Sequence, residues 1–240
     1  MSILNAPASV NFATSQSVPK HFKAFTNYMN QQTELHANKV FVRYYFDGEC
    51  KNLTYSDVDR LATNLACKWA YVTQDVDAVA FIGDHSIGYM VVMLALLKLR
   101  TPMFAISPRN SEATVFDLLK KSESKLLITE AKYEFIGKAA SAQIADVDLM
   151  VISPLEISCL VKQPLNPHFQ EFLNFEFSDK DIDKTALIIH SSGTTSFPKP
   201  VRFSNKYLFH AINAFEILIN SNDKLDSLTS KDVLLPITPL

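Results

Sequence analysis

The amino-acid sequence predicts an α/β fold in which a mainly parallel β-sheet is flanked by helices, with a small N-terminal β-hairpin. Short apolar segments such as DAVAFI (77–82) and LLIT (126–129) alternate with longer segments of helical periodicity. Apolar strands separated by helices are typical of parallel sheets covered on both faces. Asp47 and Gly48 follow a β-branched and aromatic run, and this dipeptide indicates a hairpin before the alternation begins.

The first elements are predicted from caps and spacing. Residues 1–18 form an N-terminal tail, and a helix over 19–30 carries Phe22, Phe25 and Tyr28 or Met29 on one face. The hairpin pairs 40–46 with 51–54. The next helix is capped by Thr54 or Ser56, with Asp57 or Asp59 three residues later, and its apolar positions run from Val58 to Trp69.

The alternation then continues toward the C-terminus. An irregular stretch over 153–182, rich in proline and phenylalanine, interrupts it. Ser204 caps the last predicted helix. The predicted elements are a strand at 77–82, a helix at 86–99, a strand at 102–106, a helix at 112–121, a strand at 126–129, a helix at 133–142, strands at 149–152, 186–189 and 201–203, a helix at 205–220 and a strand at 232–238.

Composition excludes several classes of function. The 240 residues are 48% hydrophobic, which is enough for a sizeable core. Lys and Arg total 23 against 25 Asp and Glu, so the net charge of -2 gives no basic surface for nucleic acid. The most apolar segment, 89–97, has about half the length of a membrane span and predicts a core helix. We therefore expect no nucleic-acid partner and no membrane insertion.

Cysteine and histidine usage indicates a cytoplasmic protein without a metal centre. Cys50, Cys67 and Cys159 are far apart, which fits reduced thiols and neither a disulfide framework nor a zinc site. The first eighteen residues lack the basic start and apolar stretch of a signal peptide. The six histidines are scattered, so no metal ligands are predicted.

The segment IIHSSGTTSFPKPVRF (188–203) carries the candidate site. Its hydroxyls and backbone N–H groups can donate to phosphate, its glycine permits close approach, and its lysine adds a positive charge. The predicted phosphate ligands of ATP are Ser191, Ser192, Gly193, Thr194, Thr195 and Lys199. His190 begins the loop and either helps to position phosphate or fills the end of the strand.

The segment is not one of the common phosphate loops. A Walker-type loop needs a second glycine directly before the lysine, and no glycine lies between Gly193 and Lys199. Kinase-type G-x-G-x-x-G loops are also absent, since none of the five glycines has that spacing. From composition alone, a surface turn rich in Ser and Thr remains an equal alternative.

One segment of the loop, SSGTTSFPKPV (191–201), follows a predicted apolar strand. It resembles the phosphate-loop signature S-G-T-T-G-x-P-K-G of the adenylate-forming superfamily. This superfamily includes acyl-CoA synthetases and nonribosomal peptide synthetase adenylation domains. LTYSDVDRLATNLA (53–66) and the block 93–129 resemble further family segments. ISPRNS (106–111) and the PKP ending are similar to fungal synthetase-like carboxylate reductases. Ser196 and Pro200 depart from the family's glycines.

The resemblance implies that a substrate carboxylate attacks the α-phosphorus of ATP, giving an acyl-AMP and pyrophosphate. It also implies Mg²⁺, held by a later glutamate, and CoA or a phosphopantetheine carrier as the next acceptor. Residues 19–240 would then be an incomplete AMP-binding domain that ends before the adenine, ribose, Mg²⁺ and C-terminal lysine motifs. No complete catalytic set is expected, and the chain alone is expected to be inactive. The alternative is a non-catalytic nucleotide-binding or interaction module derived from such an enzyme.

Overall fold

The fold is an α/β layered structure with a separate hairpin. The computed structural model describes residues 22–46, 48–153, 157, 159–160, 163–164, 176–192 and 197–220. The predicted tail, Asp47, most of the irregular stretch and the strand predicted over 232–238 lie outside these residues. The elements are α1 (Phe25–His36), β1 (Val40–Phe46), β2 (Glu49–Thr54), α2 (Tyr55–Trp69), β3 (Val79–Ile82), α3 (Ile87–Lys98), β4 (Met103–Ile106), α4 (Glu112–Ser122), β5 (Leu126–Glu130), α5 (Glu134–Ser141), β6 (Asp148–Ile152), β7 (Thr185–His190), β8 (Pro200–Ser204) and α6 (Asn205–Asn220).

From the hairpin to α6, the predicted elements are confirmed, and their ends agree with the prediction to within about two residues. The first helix differs, because it was predicted over 19–30 and runs from Phe25 to His36. The side-chain oxygen of Asn27 accepts hydrogen bonds from the backbone N–H groups of Lys23 and Ala24 at 3.4 and 3.2 Å. These bonds satisfy donors just ahead of the helix, so Asn27 sets a start that the apolar spacing does not reveal.

The start of α2 settles the alternatives left by the sequence. Thr54 Oγ1 accepts from the N–H of Asp57 at 3.1 Å, while Asp57 Oδ2 accepts from the N–H of Thr54 at 2.9 Å. This reciprocal pair is a capping box. The hydrogen bonds from Thr54 lower the pKa of Asp57. The cap is therefore Thr54 rather than Ser56, and its acidic partner is Asp57 rather than Asp59.

The main sheet has six strands in the order β6-β5-β3-β4-β7-β8. Each neighbouring pair is parallel except β7 and β8, which pair antiparallel. β4 and β7 are neighbours although 78 residues lie between Ile106 and Thr185. The carboxyl ends of β5, β3, β4 and β7 therefore meet at one edge of the sheet, where α/β proteins hold ligands.

The central strand β3 is buried on both faces. Val79 and Phe81 pack into the cluster formed with α2 and α3, while Ala80 and Ile82 pack into the cluster formed with α4 and α5. Successive strand side chains point to opposite faces, so a strand covered on both sides must be apolar throughout. The apolar segment 89–97 lies in α3 and packs in the first cluster. Within the described part of the chain, no helix has the length and apolarity to cross a membrane.

Candidate functional site

The predicted phosphate loop begins at the carboxyl edge of the sheet. β7 ends at His190, and the neighbouring strand β4 ends at Ile106. The two strands are parallel and in register, with Phe104 opposite Ile188. The residues that follow each strand, 107–111 and 191–192, are therefore brought side by side. Spatial proximity of these two loops follows from the strand order and not from the sequence.

The base of the loop is closed by Ser191 and Lys199. The N–H of Ser191 donates to the carbonyl oxygen of Lys199 at 3.0 Å. The N–H of Lys199 donates to Ser191 Oγ, also at 3.0 Å. The Ser191 oxygen thus accepts a bond within the protein, while its O–H hydrogen has no acceptor among the described residues. We name this pair of bonds the Ser191–Lys199 clamp.

The other predicted ligands divide into two groups. The side chains of Ser192 and Lys199 are exposed, and Lys199 forms no ion pair with the residues that the structure describes. Gly193, Thr194 and Thr195 lie outside the described residues, as does Ser196. The structure therefore gives two solvent-facing side chains at the ends of the loop and the clamp that joins those ends.

Pro200, which departs from the family signature, lies at a position where the β-sheet accepts proline. Pro200 is the first residue of β8, which is the last strand of the six in the sheet order, and it lies opposite His190. Proline lacks an N–H donor and is accepted at the first position of an edge strand. Beside it, Pro198 is buried and Phe197 is exposed, with Lys121 Nζ 5.9 Å from the Phe197 ring centre.

His190 is a partly buried residue that contacts both loops. Its Nε2 atom lies 3.2 Å from the N–H nitrogen of Ser107 and 3.2 Å from Asn110 Nδ2. Its Nδ1 atom lies 3.0 Å from the carbonyl oxygen of Ser191. Ser107 and Asn110 belong to the segment ISPRNS (106–111), but they were not among the predicted site residues. Their position directly after a strand was the signal that could have found them.

A second polar group at the same edge was also missed. Asp84, after β3, accepts hydrogen bonds from Lys132 at 2.9 Å and from the Tyr133 hydroxyl. These bonds lower its pKa. Glu130, the last residue of β5, is 4% exposed and accepts from the N–H of Asp84 at 3.1 Å, while its Oε1 has no hydrogen-bond partner in the described structure. Burial raises the pKa of Glu130. An acidic residue ending the apolar strand LLITE was the available signal.

Two clefts among the described residues lie away from the phosphate loop. One is lined by α1, α2 and α3 and includes Lys98 and Asp59. The other includes Arg100, Thr101 and Asp181. Both lie near the C-terminal end of α3, which precedes β4, so they open at the amino edge of the sheet. Among the residues described, no group of three or more His, Cys, Asp or Glu side chains could hold a metal ion.

Comparison with solved structures identifies the fold. A luciferase-like enzyme from the mealworm Zophobas morio superposes with a TM-score of 0.59 at 20% identity, covering 82% of this chain and 45% of that one. ATP-bound MatB from Rhodopseudomonas palustris superposes with a TM-score of 0.55 at 16% identity, covering 70% and 32%. These likenesses show the predicted α/β fold.

Sequence comparison supplies the relatives. An adenylate-forming reductase of Stachybotrys bisbyi is 27% identical over 184 residues, which are 69% of this chain and 16% of the reductase. A probable CoA ligase of Humulus lupulus is 30% identical over 165 residues, 67% of this chain and 30% of the ligase. The chain thus spans less than a third of either relative. The profile described as AMP-binding enzyme matches residues 29–240, and the chain belongs to that family.

Proposed function

We propose that the chain binds the phosphates of ATP at the segment 190–199, as part of a carboxylic-acid-activating, acyl-AMP-forming enzyme. The observation that carries the proposal is the Ser191–Lys199 clamp, which closes a hydroxyl-rich loop at the carboxyl edge of a parallel sheet. Ligands of α/β proteins bind at that edge. The family match over residues 29–240 and the similarity to an adenylate-forming reductase and a CoA ligase support it.

The chemistry of the loop suits a polyphosphate. Lys199 provides a flexible positive charge, and its exposure and lack of an ion pair among the described residues leave it available to an anion. Ser192 and the remaining O–H of Ser191 offer hydroxyl donors beside it. Gly193, Thr194 and Thr195 complete the proposed set of ligands. Because phosphoryl transfer depends chiefly on positioning and charge neutralisation, a closed loop with one cation is the appropriate type of site.

The rest of the proposed reaction follows from the family. A carboxylate oxygen attacks the α-phosphorus of ATP, and the bond between this phosphorus and the oxygen that bridges to the β-phosphorus breaks. The products are the acyl-AMP and pyrophosphate, which carries away the bridging oxygen. We include Mg²⁺ with ATP, a carboxylic acid as substrate, and CoA or a phosphopantetheine carrier as acyl acceptor. We place this reaction in the cytoplasm and assign residues 19–240 to one incomplete adenylation domain. The chain spans 16% and 30% of two relatives, so we expect no acyl-AMP from it alone.

ATP binding by the purified 240-residue chain, measured by isothermal titration calorimetry, tests the proposal. Lys199→Ala should weaken affinity by about tenfold or more, because a charge-assisted contact contributes about 1.5–3 kcal/mol. Lys125→Ala is the matched control, since Lys125 is an exposed lysine directly before β5, at the opposite edge of the sheet. Equal affinities of Lys199→Ala and the native chain, or no ATP binding by the native chain, would contradict the proposal.

A pyrophosphate-exchange assay tests the expected inactivity. The chain is incubated with ATP, labelled pyrophosphate and a panel of aryl and alkyl carboxylic acids. We expect no exchange above that of a Lys199→Ala sample. If exchange depends on the added acid and is abolished by Lys199→Ala, the 240 residues carry out the reaction by themselves. The prediction that the chain alone is inactive would then be wrong.

A second candidate function, a protein-interaction module, is favoured by an exposed apolar patch. Ile189 and Val201 lie opposite each other on β7 and β8 and are 38% and 40% exposed. Opposite residues of an antiparallel pair share one face of the sheet, so the two side chains form a patch at the sheet edge. The proposed partner is a longer member of the same family. Capture of that partner by the native chain and not by Ile189→Asp would support this function; a monodisperse monomer that captures none would contradict it.

A further inference from the structure

The two ring nitrogens of His190 are both occupied by hydrogen bonds. The backbone N–H of Ser107 can only donate, so Nε2 is an acceptor. The carbonyl oxygen of Ser191 can only accept, so Nδ1 carries the hydrogen. A neutral imidazole has one protonated nitrogen, and both contacts require the same Nδ1–H tautomer. The amide nitrogen of Asn110 donates to Nε2 as well, consistent with that assignment.

This arrangement argues against direct contact between His190 and phosphate. Neither nitrogen is available to a phosphate oxygen unless an existing hydrogen bond is broken. The imidazole instead connects the residue that starts the clamp, Ser191, to the residues that follow β4. His190 is partly buried, as are Ser107 and Asn110, so the two contacts of Nε2 are shielded in part from competing water, whereas the bond to the Ser191 carbonyl oxygen is exposed.

We propose that His190, oriented by Asn110, is a positioning residue that fixes the entry of the phosphate loop against the loop after β4. The two contacts of Nε2 hold residue 190 against the loop after β4. This places the backbone that leads into Ser191 and so aligns Ser191 for its two bonds with Lys199. The consequence for ATP rests on the proposed function, whereas the consequence for the clamp does not.

Two substitutions separate the contacts of the imidazole. Glutamine at this position places an oxygen as many bonds from Cα as Nε2, so His190→Gln keeps an acceptor for Ser107 and Asn110. Asparagine matches the position of Nδ1, so His190→Asn keeps the donor to Ser191 and loses the connection between the loops. We expect His190→Asn and His190→Ala to weaken ATP binding by roughly tenfold, and His190→Gln by no more than about threefold.

Asn110 provides an independent check through a double-mutant cycle. Asn110→Ala should weaken ATP binding by about threefold, and His190→Ala/Asn110→Ala should bind no more weakly than His190→Ala, because both changes remove the same connection. His210→Gln and Asn52→Ala are the matched controls, since both residues are exposed and lie on α6 and β2. Additive effects of the two substitutions, or equal affinities of His190→Asn and His190→Gln, would overturn the proposal.

If the native chain does not bind ATP, the proposed function is contradicted but the positioning role of His190 is not. Two measurements test that role without ATP. Nitrogen-15 spectra of the imidazoles, assigned by the signal lost in His190→Gln, should show the Nδ1–H tautomer. Hydrogen exchange at the Ser191 and Lys199 amides should be about tenfold faster in His190→Asn than in His190→Gln. An Nε2–H tautomer, or equal exchange rates in the two variants, would overturn the positioning role whatever the ATP result.

Discussion

Ser191 and Lys199 hold each other through two hydrogen bonds, one from each backbone N–H, both 3.0 Å long. The same two residues are the first and last of the predicted phosphate ligands. One of these bonds uses the Ser191 side chain as acceptor, so this hydroxyl has a structural task as well as its proposed contact with phosphate. The Ser191–Lys199 clamp therefore holds the backbone of Lys199 next to the end of β7.

The clamp predicts a specific effect of Ser191→Ala. The substitution removes the acceptor of the Lys199 N–H and leaves the backbone bond in place. A net hydrogen bond is worth about 1 kcal/mol, so ATP affinity should fall by about fivefold. Isothermal titration calorimetry measures this change, and Ser191→Thr, which keeps the oxygen, is the control that should retain affinity. Native-like affinity of Ser191→Ala would show that the side-chain bond does not matter for ATP.

Asp181 should make the free energy of unfolding depend on pH in the acidic range. Burial opposes ionisation of this carboxyl, but hydrogen bonds from Lys184 and Ser178 and the charge of Arg100 hold its pKa at about 2. Its folded-state pKa is depressed, so its stabilisation is present above pH ~4 and is lost as pH falls toward ~2. Asp181→Asn should lower the free energy of unfolding by about 2 kcal/mol at pH 7 and by little at pH 2.

Urea unfolding at pH 7, 4 and 2.5 measures the effect of Asp181→Asn. The exposed neighbour Asp183 provides the control substitution Asp183→Asn, which should change the unfolding midpoint little at any of these pH values. A constant difference between Asp181→Asn and the native chain across the series would rule out the ionised carboxylate as the source of the stability.

Glu130 should have the opposite effect on the pH dependence of stability. Its burial raises the pKa, so the folded state holds the proton more tightly than the unfolded state does. Between the unfolded and folded pKa values, stability therefore falls as pH rises. Glu130→Gln removes the buried charge and keeps an oxygen for the Asp84 N–H, so it should be more stable than the native chain at pH 8. The gain should shrink as pH approaches 4.

Thermal unfolding at pH 8 and pH 4 tests the prediction for Glu130. Glu176→Gln alters an exposed glutamate and should leave the melting temperature unchanged at both values. A Glu130→Gln chain that is less stable at pH 8 would mean that the carboxylate has a favourable partner there.

Asn205 joins three parts of the fold. Its Oδ1 accepts from the N–H of Phe25 at 2.8 Å, and its Nδ2 donates to the carbonyl oxygen of Asp181 at 2.9 Å. The side chain is 7% exposed, so its removal takes the acceptor from the Phe25 N–H and one of two donors from the Asp181 carbonyl oxygen, which also accepts from the N–H of Lys184. Asn205→Ala should lower the free energy of unfolding by about 2–3 kcal/mol in urea titrations. Asn52→Ala, at an exposed asparagine, is the control; a similar small loss in both variants would contradict this role.

Local patterns determined most of the secondary structure. The apolar runs of β3 and β5 predicted buried strands because a strand covered on two faces needs apolar side chains throughout. Thr54 or Ser56, with Asp57 or Asp59, predicted the start of α2, since a capping box is complete within four residues, and the structure selects Thr54 with Asp57. The start of α1 was misplaced because its donors are satisfied by Asn27 and Asn205, and Asn205 is distant in sequence.

The sequence by itself determined the α/β class, the hairpin, the order of elements and the loop between β7 and β8, because periodicity, caps and turn residues act over a few positions. Tertiary structure alone decided that β4 lies beside β7, that His190 contacts Asn110, and that Glu130 is buried against the turn after β3. These contacts join residues from 46 to 84 positions apart. Which distant segments meet is fixed by the packing of the whole sheet, and no local pattern carries that information.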